Sequence, residues 1–297
     1  MLGMWFPLAL LALCMLVVRR SVEKGLTKNI DSLALTWMQQ AFALPFIAVS
    51  LVLMPFYWPS ELSGQFWFWT SLYAVCGALD LFLYFKALSL ADISHVAPLI
   101  SLTGIGVIAG SVVILHQQPT IVGITGAVLI VIGATVVHRD KQKHTQVRRQ
   151  NTVAFWLILG VVVLRAVYGN IELFPLREAN ATTFNLYSSL LTVPLLLMLA
   201  VLLKARTAKT YWKATYKNIK LYLWPLLFVG LTYTVNLTAT YQAKLLAPTA
   251  GYVTSVKSAQ VVPMMFIGAW LFREKVTKLQ WYGVGLISVG LLLLSFG

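Results

Sequence analysis

Residues 254–277 read TSVKSAQVVPMMFIGAWLFREKVT, an apolar stretch with a lysine near its middle. A lysine in the hydrocarbon layer costs about 2.5–3.5 kcal/mol on insertion scales, so Lys257 is expected to face protein or a water-filled cavity. Gln260 lies one helical turn further on the same predicted face, and Thr254 and Met264 extend that face. One stripe of this segment is therefore predicted to be wet. The alternative is that Lys257 extends toward an interface, with its stem in the apolar layer.

The composition is that of an integral membrane protein. Hydrophobic residues make up 59% and charged residues 11% of the chain, and the mean hydropathy is +0.80, whereas soluble domains carry about 25% charged residues. The net charge of +14 arises from short connections between apolar runs, which indicates positive-inside bias and not nucleic-acid binding. Cys14 and Cys76 have no CxxC partner or nearby histidine, so neither a disulfide nor a metal site is predicted, and no cofactor is expected.

Apolar runs of about 20 residues predict ten membrane-spanning helices. The segment 2–18 resembles a signal peptide in length, but it has no preceding basic residue and no cleavage-type motif after it, so it is expected to stay as a helix. The predicted spans are 3–19, 32–54, 66–88, 93–115, 120–138, 153–171, 181–203, 221–243, 249–271 and 278–296.

Basic residues cluster in alternate connections, which sets the predicted orientation. These connections follow spans 1, 5, 7 and 9, and the other side of the membrane has few basic residues. The positive-inside rule places these connections in the cytoplasm and both termini outside. A prokaryotic inner membrane is the expected location. The basic residues include Arg19, Arg20, Arg148, Arg149, Lys204, Lys213, Lys220, Arg273 and Lys275.

The chain contains an internal repeat. Span 5 carries Thr120, Gly126, Leu129, Ile130 and Gly133 at a constant offset from Thr277, Gly283, Leu286, Ile287 and Gly290 of span 10. The repeats are predicted at 1–138 and 153–297, joined by a basic cytoplasmic linker at 139–152. Five helices per copy force the second copy to enter the membrane from the opposite side, so the repeats are predicted to be inverted. Inverted repeats are typical of secondary transporters, which bind solute near the midplane between the repeats.

At this point the sequence resembles a known family. The stretch YFKALSLADISHVAPLISLTGIGVIAGSVVILHQQPTIVGITGAVLIVIGA and the later LFREKVTKLQWYGVGLISVG resemble the paired EamA repeats of the drug/metabolite transporter superfamily. Glu274, before the glycine-containing last helix, is the most specific element, and the first repeat departs from it because Gln117 stands at the matching position. The resemblance implies an all-α, ten-helix secondary transporter with a central cavity lined by helices 1, 3, 4, 6, 8 and 9. It does not imply a substrate.

Charged residues inside the predicted spans are the candidates for function. In span 3, Asp80 shares a stripe with Tyr84, while Lys86 lies close enough to the helix end to reach the interface. In span 6, Arg165 near the middle suits bidentate binding of a carboxylate or phosphate. The alternative for Arg165 is a structural pair with Asp80 or Glu172. The predicted solute-binding set is Lys257, Arg165, Asp80, Gln260, Asn236, Tyr233, Tyr168 and Tyr84, and the predicted coupling or gating set is Asp80, Glu172, Glu274, Lys86 and His95.

The sequence therefore predicts a secondary transporter, not an enzyme, that moves a small anionic or zwitterionic organic metabolite such as an amino acid by alternating access. Proton coupling through Asp80 is one option for its energy source. The alternative is a flippase for lipids or lipid-linked sugars on the same fold. No DxxD, HExxH, GxSxG or P-loop motif occurs, so an intramembrane enzyme is disfavoured. The expected partners are a small-molecule substrate and membrane lipids, in a monomer or a dimer.

Overall fold

A computed structural model of the chain describes residues 3–27, 29–53, 56–90, 99–139, 150–272 and 277–297. Within these ranges the chain consists of α-helices joined by short 3-10 turns and irregular connections. The helices are α1 (Trp5–Leu26), α2 (Ser32–Ser50), α3 (Gly64–Leu90), α4 (Thr103–Leu115), α5 (Ile121–Arg139), α6 (Gln150–Ile171), α7 (Leu173–Glu178), α8 (Ala181–Leu203), α9 (Ala208–Leu221), α10 (Leu223–Leu246), α11 (Ala250–Ser258), α12 (Val261–Phe272) and α13 (Lys278–Phe296).

Six helical segments of the described chain are long and apolar enough to cross a membrane. A seventh arises if α9 and α10, which meet at a bend of 85°, are taken as one span. The apolar segments Leu99–Leu115 and Ile121–Val137 are shorter. The count of ten spans therefore stays a prediction, and most of the predicted linker lies outside the described residues. The six segments are Trp5–Glu23, Leu33–Ser50, Gly64–Tyr84, Val153–Glu178, Ala181–Leu203 and Lys278–Phe296.

Polar side chains fix where several helices begin. Asp31 accepts hydrogen bonds from the N–H groups of Leu33 and Ala34 at the start of α2, at 3.0 and 3.4 Å. Asn180 accepts one from the N–H of Thr183 at the start of α8, at 2.9 Å. These bonds satisfy amide groups that have no partner within the helix, so they define the points at which the chain enters α2 and α8.

Helices α5 and α13 pack with their backbones in direct contact. A Cβ atom added at Gly126 would lie 2.7 Å from the carbonyl oxygen of Gly290, and one at Gly133 would lie 2.6 Å from that of Gly283. The reverse additions, at Gly290 and Gly283, would meet Gly126 and Gly133 at 2.6 and 2.7 Å. The two helices therefore run antiparallel, and only glycine permits so close an approach. We call this contact the glycine seam.

The predicted ninth span is broken at its centre. The structure divides it into α11, which ends at Ser258, and α12, which begins at Val261. Pro263 explains the break, because proline has no N–H and its ring clashes with the carbonyl four residues earlier, at Ala259. The prediction of one continuous helix over 249–271 is therefore wrong at this point, and the break lies next to Lys257.

The remaining helices gather the charged segments around one central space. Helix α1 packs against α10, α3 against α6, and α4 against both α6 and α11. Helices α2 and α8 pack against each other and also contribute residues to the wall of this space. Since α3, α6, α10 and α11 each carry ionisable or amide side chains, this packing turns those side chains toward the interior.

Candidate functional site

A cavity of about 290 Å³ lies between the central helices. Its wall includes residues from the six spans that the resemblance implied, and from predicted spans 2 and 7 through Gln40 and Ser189. This volume is close to the lower end of the range for small-molecule sites. Of the side chains predicted to bind solute or to couple transport, the wall contains Asp80, Arg165, Tyr168, Glu172, Tyr233, Asn236, Lys257 and Gln260.

Lys257 reaches the cavity from the last turn of α11. Its Nζ donates a hydrogen bond to Thr240 Oγ1 at 3.0 Å. No carboxylate of the described residues lies within the 4 Å limit of an ion pair with Lys257. The C-terminal end of a helix favours a cation, which offsets part of the cost of placing the lysine there. Lys257 is therefore a cavity cation without a carboxylate partner in the described chain.

Arg165 and Asp80 form a bidentate ion pair. Arg165 Nε and Nη2 donate to the two carboxylate oxygens of Asp80 at 2.9 and 3.0 Å. Both residues line the cavity, and the Asp80 side chain is buried whereas that of Arg165 is 21% exposed. The structure thus brings together the two side chains that the sequence offered either as separate solute ligands or as a pair.

A second ion pair joins Lys244 of α10 to Glu172, which follows α6. Lys244 Nζ lies 2.5 Å from Glu172 Oε1 and also donates to the carbonyl oxygen of Gly169 at 2.9 Å. Both side chains are buried. Lys244 was not among the predicted site residues because it stood near the end of the predicted eighth span. Glu172 is the sequence feature that could have indicated Lys244, because an acidic side chain buried among apolar helices requires a cationic partner.

Two further cations line the cavity from α1. The sequence assigned Arg19 and Arg20 to a connection, but α1 continues to Leu26 and carries both inward. Arg19 lies 3.3 Å from Glu23 Oε1, one turn along the helix. Its guanidinium also lies 4.9 Å from the centre of the Tyr233 ring, within the range of a cation–π contact.

The other predicted site residues have varied positions. Asn236 is buried and donates from Nδ2 to the carbonyl oxygen of Ala12 at 2.5 Å. Tyr84 lies beside the cavity, with its ring 5.7 Å from the Arg165 guanidinium. Lys86 is exposed, and its Nζ lies 5.8 Å from the centre of the Phe82 ring. His95 and Glu274, predicted to act in gating or coupling, lie outside the described residues.

Two tyrosines meet in the wall of the cavity. The hydroxyl oxygens of Tyr73 and Tyr241 are 2.9 Å apart, and both side chains line the cavity. Phe184 packs against both rings, with centroid distances of 5.2 and 5.1 Å. The Lys244–Glu172 pair also lines the wall, so ionic, polar and aromatic contacts all contribute to it.

The wall carries an excess of positive charge. Among the described lining residues there are five cations, Arg19, Arg20, Arg165, Lys244 and Lys257, and two carboxylates, Asp80 and Glu172. Each carboxylate is already held by one cation. The described residues contain no group of three or more histidine, cysteine or acidic side chains arranged to hold a metal ion. The cavity is therefore chemically suited to an anionic group on an organic solute.

Long apolar helices around a charged internal cavity of small-molecule size define an integral membrane protein with a polar interior. The chain belongs to the EamA-like transporter family, whose family model matches it twice, over residues 3–139 and 152–296. The two matches support the repeated organisation read from the sequence. Nothing among curated proteins matches this chain.

Solved structures share the fold. The crystal structure of another protein superposes with a TM-score of 0.72 at 13% sequence identity. The superposition covers 97% of this chain and 95% of the other. At this identity the likeness establishes the architecture alone, and the chemistry of the cavity must be argued from the side chains of this chain.

Proposed function

We propose that this protein is a secondary active transporter that moves a small anionic or zwitterionic organic solute across the membrane by alternating access. The observation that carries the proposal is Lys257, a cation in the wall of the cavity with no carboxylate within ion-pair distance in the described chain. A cation held in a low-dielectric site without a partner attracts an anion strongly. Membership of the EamA-like transporter family supports a transported solute as that anion.

The proposed architecture has ten spans in two inverted five-helix repeats, at 1–138 and 153–297, with both termini outside and the basic linker 139–152 in the cytoplasm. A prokaryotic inner membrane is the proposed location. The glycine seam supports the inversion, because Gly126 contacts Gly290 and Gly133 contacts Gly283. At the constant offset of the repeat these are equivalent pairs exchanged by a two-fold rotation.

In the proposed mechanism the anionic group of the solute binds Lys257 near the break between α11 and α12. A solute carboxylate then competes with Asp80 for the bidentate guanidinium of Arg165. Asp80, once released from Arg165, takes up or gives up a proton, and this exchange would couple transport to a proton gradient. We expect the contact between Tyr73 and Tyr241 to close the cavity on one side and to separate when access changes to that side.

The proposal is tested by a thermal-stability screen of the purified protein against amino acids, organic acids, nucleotides and sugar phosphates. A ligand at 100 times its Kd adds about 2.7 kcal/mol to the folded state, which is measurable as a rise in Tm. We expect an anionic or zwitterionic metabolite to raise the Tm of the wild type and not that of Lys257→Ala. Lys278→Ala is the matched control, because Lys278 is exposed at the start of α13.

Uptake of the identified ligand into proteoliposomes then tests transport itself. Lys257→Ala is expected to abolish uptake while the variant stays folded, and Lys278→Ala is expected to transport normally. Normal uptake by Lys257→Ala would overturn the assignment of this lysine. Stabilisation by lipids or lipid-linked sugars alone would favour the flippase instead.

A further inference from the structure

Helix α9 (Ala208–Leu221) occupies most of the basic connection that the sequence predicts over residues 204–220. With its preceding turn, α9 meets α10 at 85°. If α10 crosses the membrane, α9 lies nearly parallel to the membrane plane. The segment from Lys204 to Leu221 contains six lysine or arginine residues and no aspartate or glutamate. This composition and orientation are those of an interfacial amphipathic helix.

One face of α9 is fixed to the protein. Tyr211 and Thr215 are buried, and Tyr211 belongs to a core cluster with Leu33 of α2 and Leu196 of α8. Trp37 Nε1 donates to the Tyr211 hydroxyl at 3.3 Å. These contacts fix the rotation of α9 about its own axis, so they also fix the direction in which its opposite face points.

The opposite face carries a stripe of lysines. Lys209, Lys213, Lys217 and Lys220 are spaced by four, four and three residues, so they share one side of the helix. All four are exposed, and none is within 4 Å of a carboxylate in the described chain. By contrast, Lys204 before the helix pairs with Asp31 at 2.8 Å. We call the four residues the lysine stripe.

The neighbouring apolar residues place the lysine stripe at the edge of the hydrocarbon layer. At the end of α8, Leu202 and Leu203 are 65% and 50% exposed. At the start of α10, Leu223 and Trp224 are 40% and 79% exposed. Exposed leucine and tryptophan at both ends of α9 mark lipid-facing surface and its interfacial boundary. The lysines are thus at headgroup level.

We propose that the lysine stripe binds the phosphate groups of anionic phospholipids in the adjacent leaflet. Four fixed cations in one row complement a row of anionic headgroups, and basic residues on an amphipathic helix beside a membrane span attract such lipids. Tyr216, 62% exposed, lies 4.6 Å from Lys220 Nζ at its ring centre, in the position of an interfacial aromatic residue. This inference is independent of the transported solute.

The test compares the full-length protein in nanodiscs of phosphatidylcholine with and without a fraction of phosphatidylglycerol. Bound phosphatidylglycerol is counted by native mass spectrometry, and the Tm is measured in parallel. The test variant carries Lys209→Gln, Lys213→Gln, Lys217→Gln and Lys220→Gln together. The matched control carries arginine at the same four positions. Glutamine and arginine both have helix propensities close to that of lysine, so α9 is retained in both.

We expect the glutamine variant to lose at least about tenfold in affinity for phosphatidylglycerol, because each basic residue at the surface contributes to the attraction. The arginine control should bind like the wild type, and high salt should weaken binding to both. Unchanged binding by a folded glutamine variant would overturn the proposal, and so would equal loss in the arginine control. If soluble heparin stabilises the protein while the two lipid mixtures give the same Tm, the lysine stripe binds a soluble polyanion and not lipid. That result would also overturn the proposal.

Discussion

The glycine seam and the wall of the central cavity are both buried between helices from the two halves of the chain. The seam is formed by backbone contacts at glycines, whereas the cavity wall is formed largely by polar and charged side chains. In the seam, the glycines of α5 and α13 bring backbone against backbone. In the cavity wall, long charged side chains keep the helices apart around a space of about 290 Å³. Gly77 of α3 lines the cavity and illustrates the contrast, because a Cβ added there would meet nothing within 4 Å.

Under the proposed alternating access, this difference separates the part of the molecule that stays rigid from the part that rearranges. Helices in a membrane gain little from apolar burial, so close packing of small residues is a main source of their association. The seam depends on such packing. The cavity wall contains ion pairs such as Arg165–Asp80, and in the proposed mechanism a solute carboxylate replaces Asp80 in this pair. Substitutions in the two regions are therefore expected to have different effects.

The largest effect is expected in the seam. Gly283→Val places a branched side chain where a Cβ alone would lie 2.7 Å from the Gly133 carbonyl oxygen and 2.6 Å from Val137. We expect loss of folded, monodisperse protein, because two backbones must separate. Gly285→Val is the matched control on the same helix, where nothing lies within 4 Å of an added Cβ. Size-exclusion chromatography after detergent extraction measures both; equal recovery would contradict the role given to the seam.

An intermediate effect is expected when the Arg165–Asp80 pair is broken on one side. Arg165→Met leaves the buried Asp80 carboxylate without its partner, which costs about 3–5 kcal/mol in comparable pairs. Combining it with Asp80→Asn should restore much of that loss, because the uncompensated charge is removed. Denaturant unfolding in detergent measures both, with Lys278→Met as an exposed control. If the double variant is no more stable than Arg165→Met, the two residues are not coupled in this way.

The smallest effect is expected at the contact between Tyr73 and Tyr241 in the cavity wall. Tyr73→Phe removes the hydroxyl that lies 2.9 Å from that of Tyr241, while the ring and its packing remain. A hydrogen bond of this kind contributes about 1 kcal/mol, so a modest fall in Tm is expected. Tyr282→Phe, at a position that is 72% exposed, should leave Tm unchanged. A fall of similar size in both variants would mean that this hydrogen bond makes no specific contribution to stability.

The repeated glycine positions that form the seam could be identified from the sequence, whereas many residues of the cavity wall could not. The constant offset between Gly126 and Gly283 indicated the repeat, because a glycine spacing is a local property of a helix. The break beside Pro263 was also visible as a residue type, yet the apolar run continued across it and suggested one helix.

The cavity residues were harder to predict because a cation near a helix end has two physical explanations. Lys257 lies in the middle of an apolar run, where the position of a helix end does not account for a basic residue, and it lines the cavity. Arg19, Arg20 and Lys244 stood near predicted helix ends, where topology alone accounts for a basic residue. Arg19 and Arg20 line the cavity because α1 continues to Leu26, and Lys244 lines it because it pairs with the buried Glu172. The binding and coupling roles of these residues stay predictions.

The glycine seam has a consequence for the ancestry of the chain. Because Gly126 meets Gly290 and Gly133 meets Gly283, each of the two helices presents the same patch to the other, as in an isologous dimer. A half-length polypeptide with one such helix would hold both sides of the contact, and two copies inserted in opposite directions would associate through it. Gene duplication and fusion would then add no new surface. Joining the copies in one chain guarantees equal numbers of the two orientations, and each half is afterwards free to acquire side chains that the other lacks.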